Sequence, residues 1–477
     1  MGKVLSVASE CVPLVKTGGL ADVVGALPGA LAPEGWEMRV LVPAYPGLAA
    51  RLGKAKGIWQ DDNLFGGPAQ VLCGRLDGVT ILLLVAPHLY DRPGGIYSAE
   101  GRDHADNPER FAALCWVAAE LARGAGSDGW RPEVLHAHDW QGGLAPAYLR
   151  YSGTTGVGTV MTIHNVAFQG IAPASRLAAL RLPPGAFTRD GFEYYGSIST
   201  LKAGLVTADR ITTVSPTYAE ELMRPDFGLG LEGVLAERAG DLQGILNGVD
   251  AAVWSPETDA AIVPYSARRL AGKAENRQRL LREFGLGVIE GPLAIVVSRL
   301  TEQKGIDLLA GVLDGFAGAG GGFALLGTGE PGLEAAMLAA EARWPGRVAI
   351  RIGYDEALAH RMFAGGDAVL VPSRFEPCGL TQMYGLRYGT IPVVAATGGL
   401  NDTVIGASPA SLLAGAATGI AFHPVDSVAL AGALRRLVQL HGDPRLWSGM
   451  IRRAMKADVS WSGPARAYGA LYRSLAT

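Results

Sequence analysis

The segment Ser373-Arg374-Phe375-Glu376-Pro377-Cys378-Gly379-Leu380-Thr381-Gln382 sets a carboxylate just ahead of a glycine-opened helix start. The apolar run Ala368-Val369-Leu370-Val371-Pro372 leads into it, and Met383-Tyr384-Gly385-Leu386-Arg387-Tyr388-Gly389 follows at helical spacing. This pattern predicts a buried strand, a carboxylate-bearing loop, and a helix whose first amides, Gly379 to Thr381, have no intrahelical partner. Free amides and the helix macrodipole both favour an anion there. A carboxylate cannot itself grip a phosphate, but it accepts hydrogen bonds from hydroxyls on whatever the phosphate carries. A phosphorylated sugar is the expected ligand class.

Other strand-end residues fit the same chemistry. Lys16-Thr17-Gly18-Gly19-Leu20-Ala21-Asp22-Val23 places two glycines and a compact positive charge before a helix, which lets backbone amides approach an anion closely. The residue order is not that of a P-loop, GxGxxG is absent, and a plain strand–helix turn has the same composition. Arg299 at a strand end and Lys304 in the following loop form a cation pair able to clamp a diphosphate and stabilise it as a leaving group, although such pairs are often simple surface. Gly327-Thr328-Gly329 is either a turn or a phosphate or nucleoside contact, and Tyr354 is either a loop aromatic or a base-stacking one.

His136 and His138 lie at i and i+2 of a strand and project the same way, a metal-site spacing. No further ligand set follows at suitable spacing, so no metal is expected. Asp139 at that strand's end is instead expected to face sugar hydroxyls, and His164-Asn165 sits equivalently on the next strand.

These residues need a scaffold of parallel strands. Short apolar runs alternate with helical patterns from end to end. A first series of strands runs near Lys3–Glu10, Met38–Pro43, Val79–Pro87, Val134–His138, Gly158–His164 and Arg210–Val214, with turn chemistry around Gly244 to Asp250. A second runs near Leu293–Ser298, Phe323–Gly327, Val348–Ile352, Ala368–Pro372, Pro392–Ala395 and Gly419–Phe422. Two doubly wound, Rossmann-like α/β domains facing a central cleft are expected, with ligand loops at the carboxyl ends of strands. The boundaries fall at 1–250 and 251–459, with helix 460–477 crossing back to the first domain.

Composition agrees. At 477 residues, 49% hydrophobic and 18% charged, the chain describes a globular protein of more than one domain. A net charge of −3 gives no bias toward nucleic acid or anionic membrane. The four scattered cysteines suit a reducing compartment, the N-terminal apolar run is too short for a signal peptide, and no run spans a bilayer; a cytoplasmic protein is expected.

In their joint order the motifs Lys16 to Val23, His136-Ala137-His138-Asp139-Trp140, Thr162-Ile163-His164-Asn165, Ser298-Arg299-Leu300 with Gln303-Lys304-Gly305, and Glu376 to Gln382 resemble those of bacterial glycogen synthases. Those enzymes, with plant starch synthases, are retaining GT-B glycosyltransferases, and the likeness extends to Asp458-Val459-Ser460-Trp461. The resemblance implies glucose transfer from ADP-glucose, a co-substrate and not a cofactor, to the non-reducing 4-OH of an α-1,4-glucan. It implies donor-diphosphate contacts from Lys16, Thr17, Gly18, Gly19 and Asp22, and neutralisation of departing ADP by Arg299 and Lys304. Glu376 would hold glucose hydroxyls beside Cys378 and the amides of Gly379, Leu380 and Thr381. Asp139, His164, Asn165 and Asn247 would line the glucose and acceptor side, with the His164 carbonyl toward the oxocarbenium and Tyr354 against adenine. The chain departs from the family pattern at Gly385, Ala396 and Asn401, which the sequence places beside the phosphate region. Rival readings are a UDP-dependent small-glucoside synthase, a silent glucan binder and, on the histidine pair, a metallohydrolase.

Overall fold

The apolar runs become parallel strands buried on both faces: Val4, Leu5 and Val7 of the first, and Ala294, Ile295 and Val296 of the second series, are fully or almost fully buried. The computed structural model describes residues 1–476. It separates into Met1–Gly248 joined by the C-terminal segment from Trp461, and Val249–Ser460.

In the first unit a nine-stranded sheet runs in the order Leu242–Gly244, Arg210–Thr213, Gly158–Ile163, Val134–His138, Gly2–Val7, Trp36–Pro43, Val79–Val85, Gly67–Leu76, Lys56–Leu64. The first seven pair in parallel and the last two add an antiparallel hairpin. That hairpin corrects the expectation of parallel layers throughout. Its tip, Phe65-Gly66, takes positive φ at both residues (46° and 99°), as a tight hairpin turn requires. Its edge strand carries Gln60, Asp61, Asp62 and Asn63, so no long apolar run announces it. Leu242–Gly244 is likewise a short edge strand, unannounced by any apolar run and ending at Gly244, where turn residues were expected to begin. A separate antiparallel sheet joins Ile171–Pro173, Ser197–Ser199 and Glu193–Tyr194.

The helix Ser462–Arg473 packs on this unit. Its Tyr468 and Tyr472 are fully buried among Val4, Leu27, Leu31, Trp36 and Met38, and Trp36 meets Tyr472 edge-on at 5.4 Å. Each such side chain contributes about 1.5–3 kcal/mol by leaving water.

The second unit holds a six-stranded, all-parallel sheet ordered Val348–Ile352, Gly322–Gly327, Leu293–Val297, Ala368–Val371, Ile391–Ala395, Ile420–Phe422. One core contains Leu309, Leu313, Phe316, Leu430, Leu434 and Leu437. A second contains Leu280, Phe284, Met362 and Phe363.

Both parallel sheets are doubly wound: the first strand of each series pairs with the second on one side and the fourth on the other. The connections therefore diverge at the carboxyl ends of Gly2–Val7 and Val134–His138 in one unit, and of Leu293–Val297 and Ala368–Val371 in the other. Open α/β sheets bind ligands at such switch points.

Candidate functional site

Each unit places most of its candidate residues near its own switch point, whereas Tyr354 and Asn247 follow the edge strands Val348–Ile352 and Leu242–Gly244. In the first unit, the chain leaving Gly2–Val7 reaches Glu10, which sequence reasoning did not single out. Glu10 is buried, and Oε2 accepts from the amides of Thr17 (2.5 Å) and Gly18 (3.3 Å). Its Oε1 accepts from Thr17 Oγ1 and from Tyr97 OH, both at 2.8 Å. The loop read as an anion cradle thus already encloses an anion, the protein's own. Lys16 is exposed and donates to Asp22 at 2.7 Å, while Gly18 and Gly19 are exposed at the start of the helix Gly19–Leu31.

Asp139 directly follows Val134–His138 and takes φ +50°, an uncommon conformation for a non-glycine residue. Its Oδ1 accepts from the amides of His164 (2.6 Å) and Asn165 (3.3 Å), so the carboxylate fixes the backbone at the end of the next strand. Burial pushes this carboxyl up to about 7 despite the two amide bonds. Asn165 Oδ1 accepts from Ala167 N at 3.0 Å.

Behind them lies a buried imidazole series. His164 Nε2 bonds His138 Nδ1 at 3.0 Å, and His138 Nε2 bonds Ser6 Oγ at 3.1 Å. His136 reaches Thr162 Oγ1 (2.5 Å) and Tyr472 OH (2.7 Å). Both ring nitrogens of His136 and His138, the pair with metal-like spacing, are therefore engaged in protein hydrogen bonds. Burial holds His136 and His164 down at about 3 and His138 well below the ordinary range, so all three rings are neutral at pH 7. Among the described residues no group of three or more His, Cys, Asp or Glu is placed to hold a metal ion. Asn247 is buried, and its Oδ1 has no hydrogen-bond partner among the described residues.

In the second unit, Lys304 Nζ lies 2.5 Å from Glu376 Oε2, which also accepts from Ser373 Oγ at 2.9 Å. With Ser298 and Thr381 these three side chains line a small cavity at the switch point. The two loops carrying them are laced together: Arg374 forks onto both oxygens of Asp307 at 2.7 Å, and Gln303 Nε2 donates to Phe375 O at 3.2 Å. Gly305 is required, because a Cβ there would stand 2.1 Å from Pro372 O at a φ of +68°. The Thr397-Gly398-Gly399 loop stacks just as closely on the Glu376 loop; Gly399 N donates to Glu376 O at 3.1 Å. Gln382 Nε2 ties down Cys378 O and Gly379 O, leaving Leu380 and Thr381 at the start of Thr381–Tyr388.

Arg299 is exposed and makes no side-chain hydrogen bond or ion pair with the described residues. Tyr354 stands 81% exposed after Val348–Ile352. The Gly327-Thr328-Gly329 turn is capped by Glu334, which accepts from Thr328 Oγ1 and Gly329 N at 2.8 Å. Gly385 serves packing and not anion binding: a Cβ there would meet Thr390 O and Val369 Cγ1 at 2.7 Å.

Glu10 and Ser373 are the notable residues that sequence reasoning passed over. Glu10 carries one signal, an acidic residue just beyond an apolar strand, close to the placement that drew attention to Asp139. Ser373 stands inside the motif but three residues from the carboxylate it supports.

Residues 3–237 match the family model described as the starch synthase catalytic domain, and residues 285–452 that of glycosyl transferases group 1. The chain is 63% identical to a glycogen synthase of Cereibacter sphaeroides over 99% of this chain and 98% of that protein. It is 58% identical to one from Paracoccus denitrificans over the full length of both. Among solved structures it superposes on the catalytic domain of starch synthase IV from Arabidopsis thaliana, bound to ADP and acarbose, with a TM-score of 0.88, 30% identity and complete coverage of both chains. Sucrose-phosphate synthase from Thermosynechococcus elongatus, at 20% identity and TM-score 0.62 over 100% of this chain and 99% of that one, shares the fold. No helix among the described residues is long and apolar enough to cross a membrane. Two Rossmann-like units of GT-B type, strand-end cation and carboxylate sets, and full-length identity converge: the chain is a hexosyltransferase and belongs to the glycogen synthase family, which acts on a nucleotide sugar and a glucan.

Proposed function

We propose that the chain transfers glucose from ADP-glucose to the non-reducing 4-OH of an α-1,4-glucan with retention of configuration, and that the residues at the two switch points carry the reaction. The observation that carries this reading is the Lys304–Glu376–Ser373 cluster, a cation and a carboxylate side by side at a strand-end cavity. A leaving diphosphate needs the cation and the sugar hydroxyls need the carboxylate.

In this reading Arg299 and Lys304 neutralise the charge that grows on ADP as the glycosidic C–O bond breaks. Glu376 accepts from glucose hydroxyls, and the amides at Gly379, Leu380 and Thr381, with Cys378 beside them, border the phosphate. Lys16, Thr17, Gly18, Gly19 and Asp22 form a second diphosphate contact, Tyr354 packs on adenine, and Asn165 and Asn247 border glucose and acceptor. The His164 carbonyl faces the cationic anomeric carbon, its direction fixed by the Asp139 bonds to the His164 and Asn165 amides. The departing phosphate oxygen takes the proton of the acceptor 4-OH as the new C–O bond forms on the same face. This path suits a cation-rich site better than the paired carboxylates of a retaining hydrolase.

The rival donor is UDP-glucose. Initial rates with either donor at equal concentration, with glycogen as acceptor and with or without EDTA, decide it. A clear preference for ADP-glucose with EDTA-resistant turnover is expected. Preference for UDP-glucose, or abolition by EDTA, would overturn the assignment.

A further inference from the structure

We infer that His138, anchored by Ser6, is a positioning residue that keeps the His164 ring in the tautomer with its proton on Nδ1, so that this ring donates a hydrogen bond to the sugar; this rests on the glucosyl-transfer reading above. Residues paired in register across parallel strands project from the same face, as do residues i and i+2 along one strand. Ser6 pairs with His136, two residues before His138, and His138 pairs with Thr162, two residues before His164. Ser6, His138 and His164 therefore form a staircase, each one step nearer the carboxyl edge of the sheet. The hydrogen bonds follow it: Ser6 Oγ to His138 Nε2 at 3.1 Å, then His138 Nδ1 to His164 Nε2 at 3.0 Å. Ser6 and His138 are fully buried, and the His136 ring packs on that of His138 at 4.1 Å.

A neutral imidazole has one donor and one acceptor nitrogen, so this chain of bonds runs in one of two directions. In the first, the Ser6 hydroxyl donates to His138 Nε2, His138 Nδ1–H donates to His164 Nε2, and His164 carries its own proton on Nδ1. In the second, His164 Nε2–H donates to His138 Nδ1, and His138 Nε2–H donates to Ser6 Oγ. The Ser6 hydroxyl hydrogen then needs another acceptor, and Ser6 makes no other side-chain hydrogen bond with the described residues. Leaving that buried donor unmade disfavours the second direction by about tenfold or more.

The first direction prevails, against the preference of an unconstrained histidine side chain for a proton on Nε2. Its outcome is one N–H left over, at His164 Nδ1, which makes no hydrogen bond with the described residues. The carbonyl of the same residue is assigned to the anomeric carbon, so a hydroxyl oxygen of the transferred sugar is the acceptor for that N–H. His138 touches no substrate in this account. It acts by choosing which nitrogen of His164 bears the proton.

The test reads the tautomers directly. Full-length protein labelled with 15N-histidine is studied without ligand by long-range proton–nitrogen correlation NMR, with the two rings assigned by His138→Asn and His164→Asn. In the wild type both rings should carry their proton on Nδ1; a proton on Nε2 of either ring would overturn the inference. His138→Asn sets either an oxygen or an amide group against His164, so His164 should move toward the Nε2-protonated form. In that variant kcat/KM for ADP-glucose should fall about tenfold, with KM for glycogen within about twofold. Ser6→Ala, which removes the anchor and leaves both rings in place, should shift both readouts the same way and less far. An unchanged His164 tautomer in both variants, or a shifted tautomer with kcat/KM intact, would contradict the positioning role. Inactive wild type would overturn the transfer reading itself, whereas the wrong tautomer in active enzyme overturns this inference alone.

Discussion

Lys304 Nζ and Glu376 Oε2 stand 2.5 Å apart although 72 residues separate them, both largely buried, with Ser373 Oγ sharing the same carboxylate oxygen. The cation assigned to the leaving group and the carboxylate assigned to the sugar thus pair with each other. A donor must exchange that pair for its own phosphate and hydroxyls. Lys304→Ala should therefore lower kcat/KM for the nucleotide sugar by about 100-fold, in line with about 3 kcal/mol for a truncated, desolvated charge pair. Acceptor KM should stay within about twofold by the same argument. A defect confined to the acceptor would contradict the leaving-group role.

Glu10 supplies a carboxylate to the Thr17 and Gly18 amides, so the loop is shaped before any phosphate arrives. Glu10→Gln keeps the size but removes the charge and one accepting atom. Donor KM should rise about 10- to 100-fold, the value of a charge-assisted hydrogen bond, with kcat nearly unchanged. Steady-state kinetics separate this from a structural lesion: a fall in kcat with donor KM unchanged would show that Glu10 does not act through the loop.

Asp139 carries a pH signature. Its carboxyl is raised by burial from the ordinary 3.8 to about 7 in the fold. A raised carboxyl favours the protonated native state, so its stabilising contribution is complete below about 4 and is lost as pH climbs toward 7 and above. Asp139→Asn retains an amide-accepting oxygen and tolerates the left-handed backbone, and has no charge to desolvate. The Tm difference, variant minus wild type, should be more positive at pH 8 than at pH 5. A difference independent of pH, or one of opposite slope, would contradict the burial argument.

Tyr472 ties the C-terminal helix to the sheet through His136 Nδ1 at 2.7 Å. Tyr472→Phe leaves a buried ring nitrogen unpaired, at a cost of about 1–3 kcal/mol. The expected result is a lower Tm with donor and acceptor KM unchanged. An unaltered Tm would mean that the bond contributes nothing net.

Much of this was legible in the sequence for a physical reason. Parallel strands buried on both faces read as apolar runs, and the residue that ends such a run is set at the sheet's carboxyl edge; Arg299, Asp139 and His164 were singled out that way, and Glu376 by the loop that follows such a run. The hairpin Lys56–Leu76 was not, because a half-exposed strand interleaves Gln60 and Asp61 with Ile58 and Leu64. Two- and three-residue strands such as Glu193–Tyr194 fall below any period. Partnerships were invisible too. Spacing shows that His136 and His138 point together, but not that Tyr472, 336 residues on, takes one of their nitrogens. Nor does a sequence reveal that Glu10 folds back into the glycine loop it precedes.

The most direct test is to incubate the purified chain with ADP-[14C]glucose and glycogen, then digest the product with β-amylase. Label incorporated into glycogen and released as maltose would show glucose added in α-1,4 linkage at non-reducing ends, and Glu376→Ala should reduce it at least about 100-fold. No incorporation by the wild-type chain, or label that β-amylase cannot release, would contradict the account.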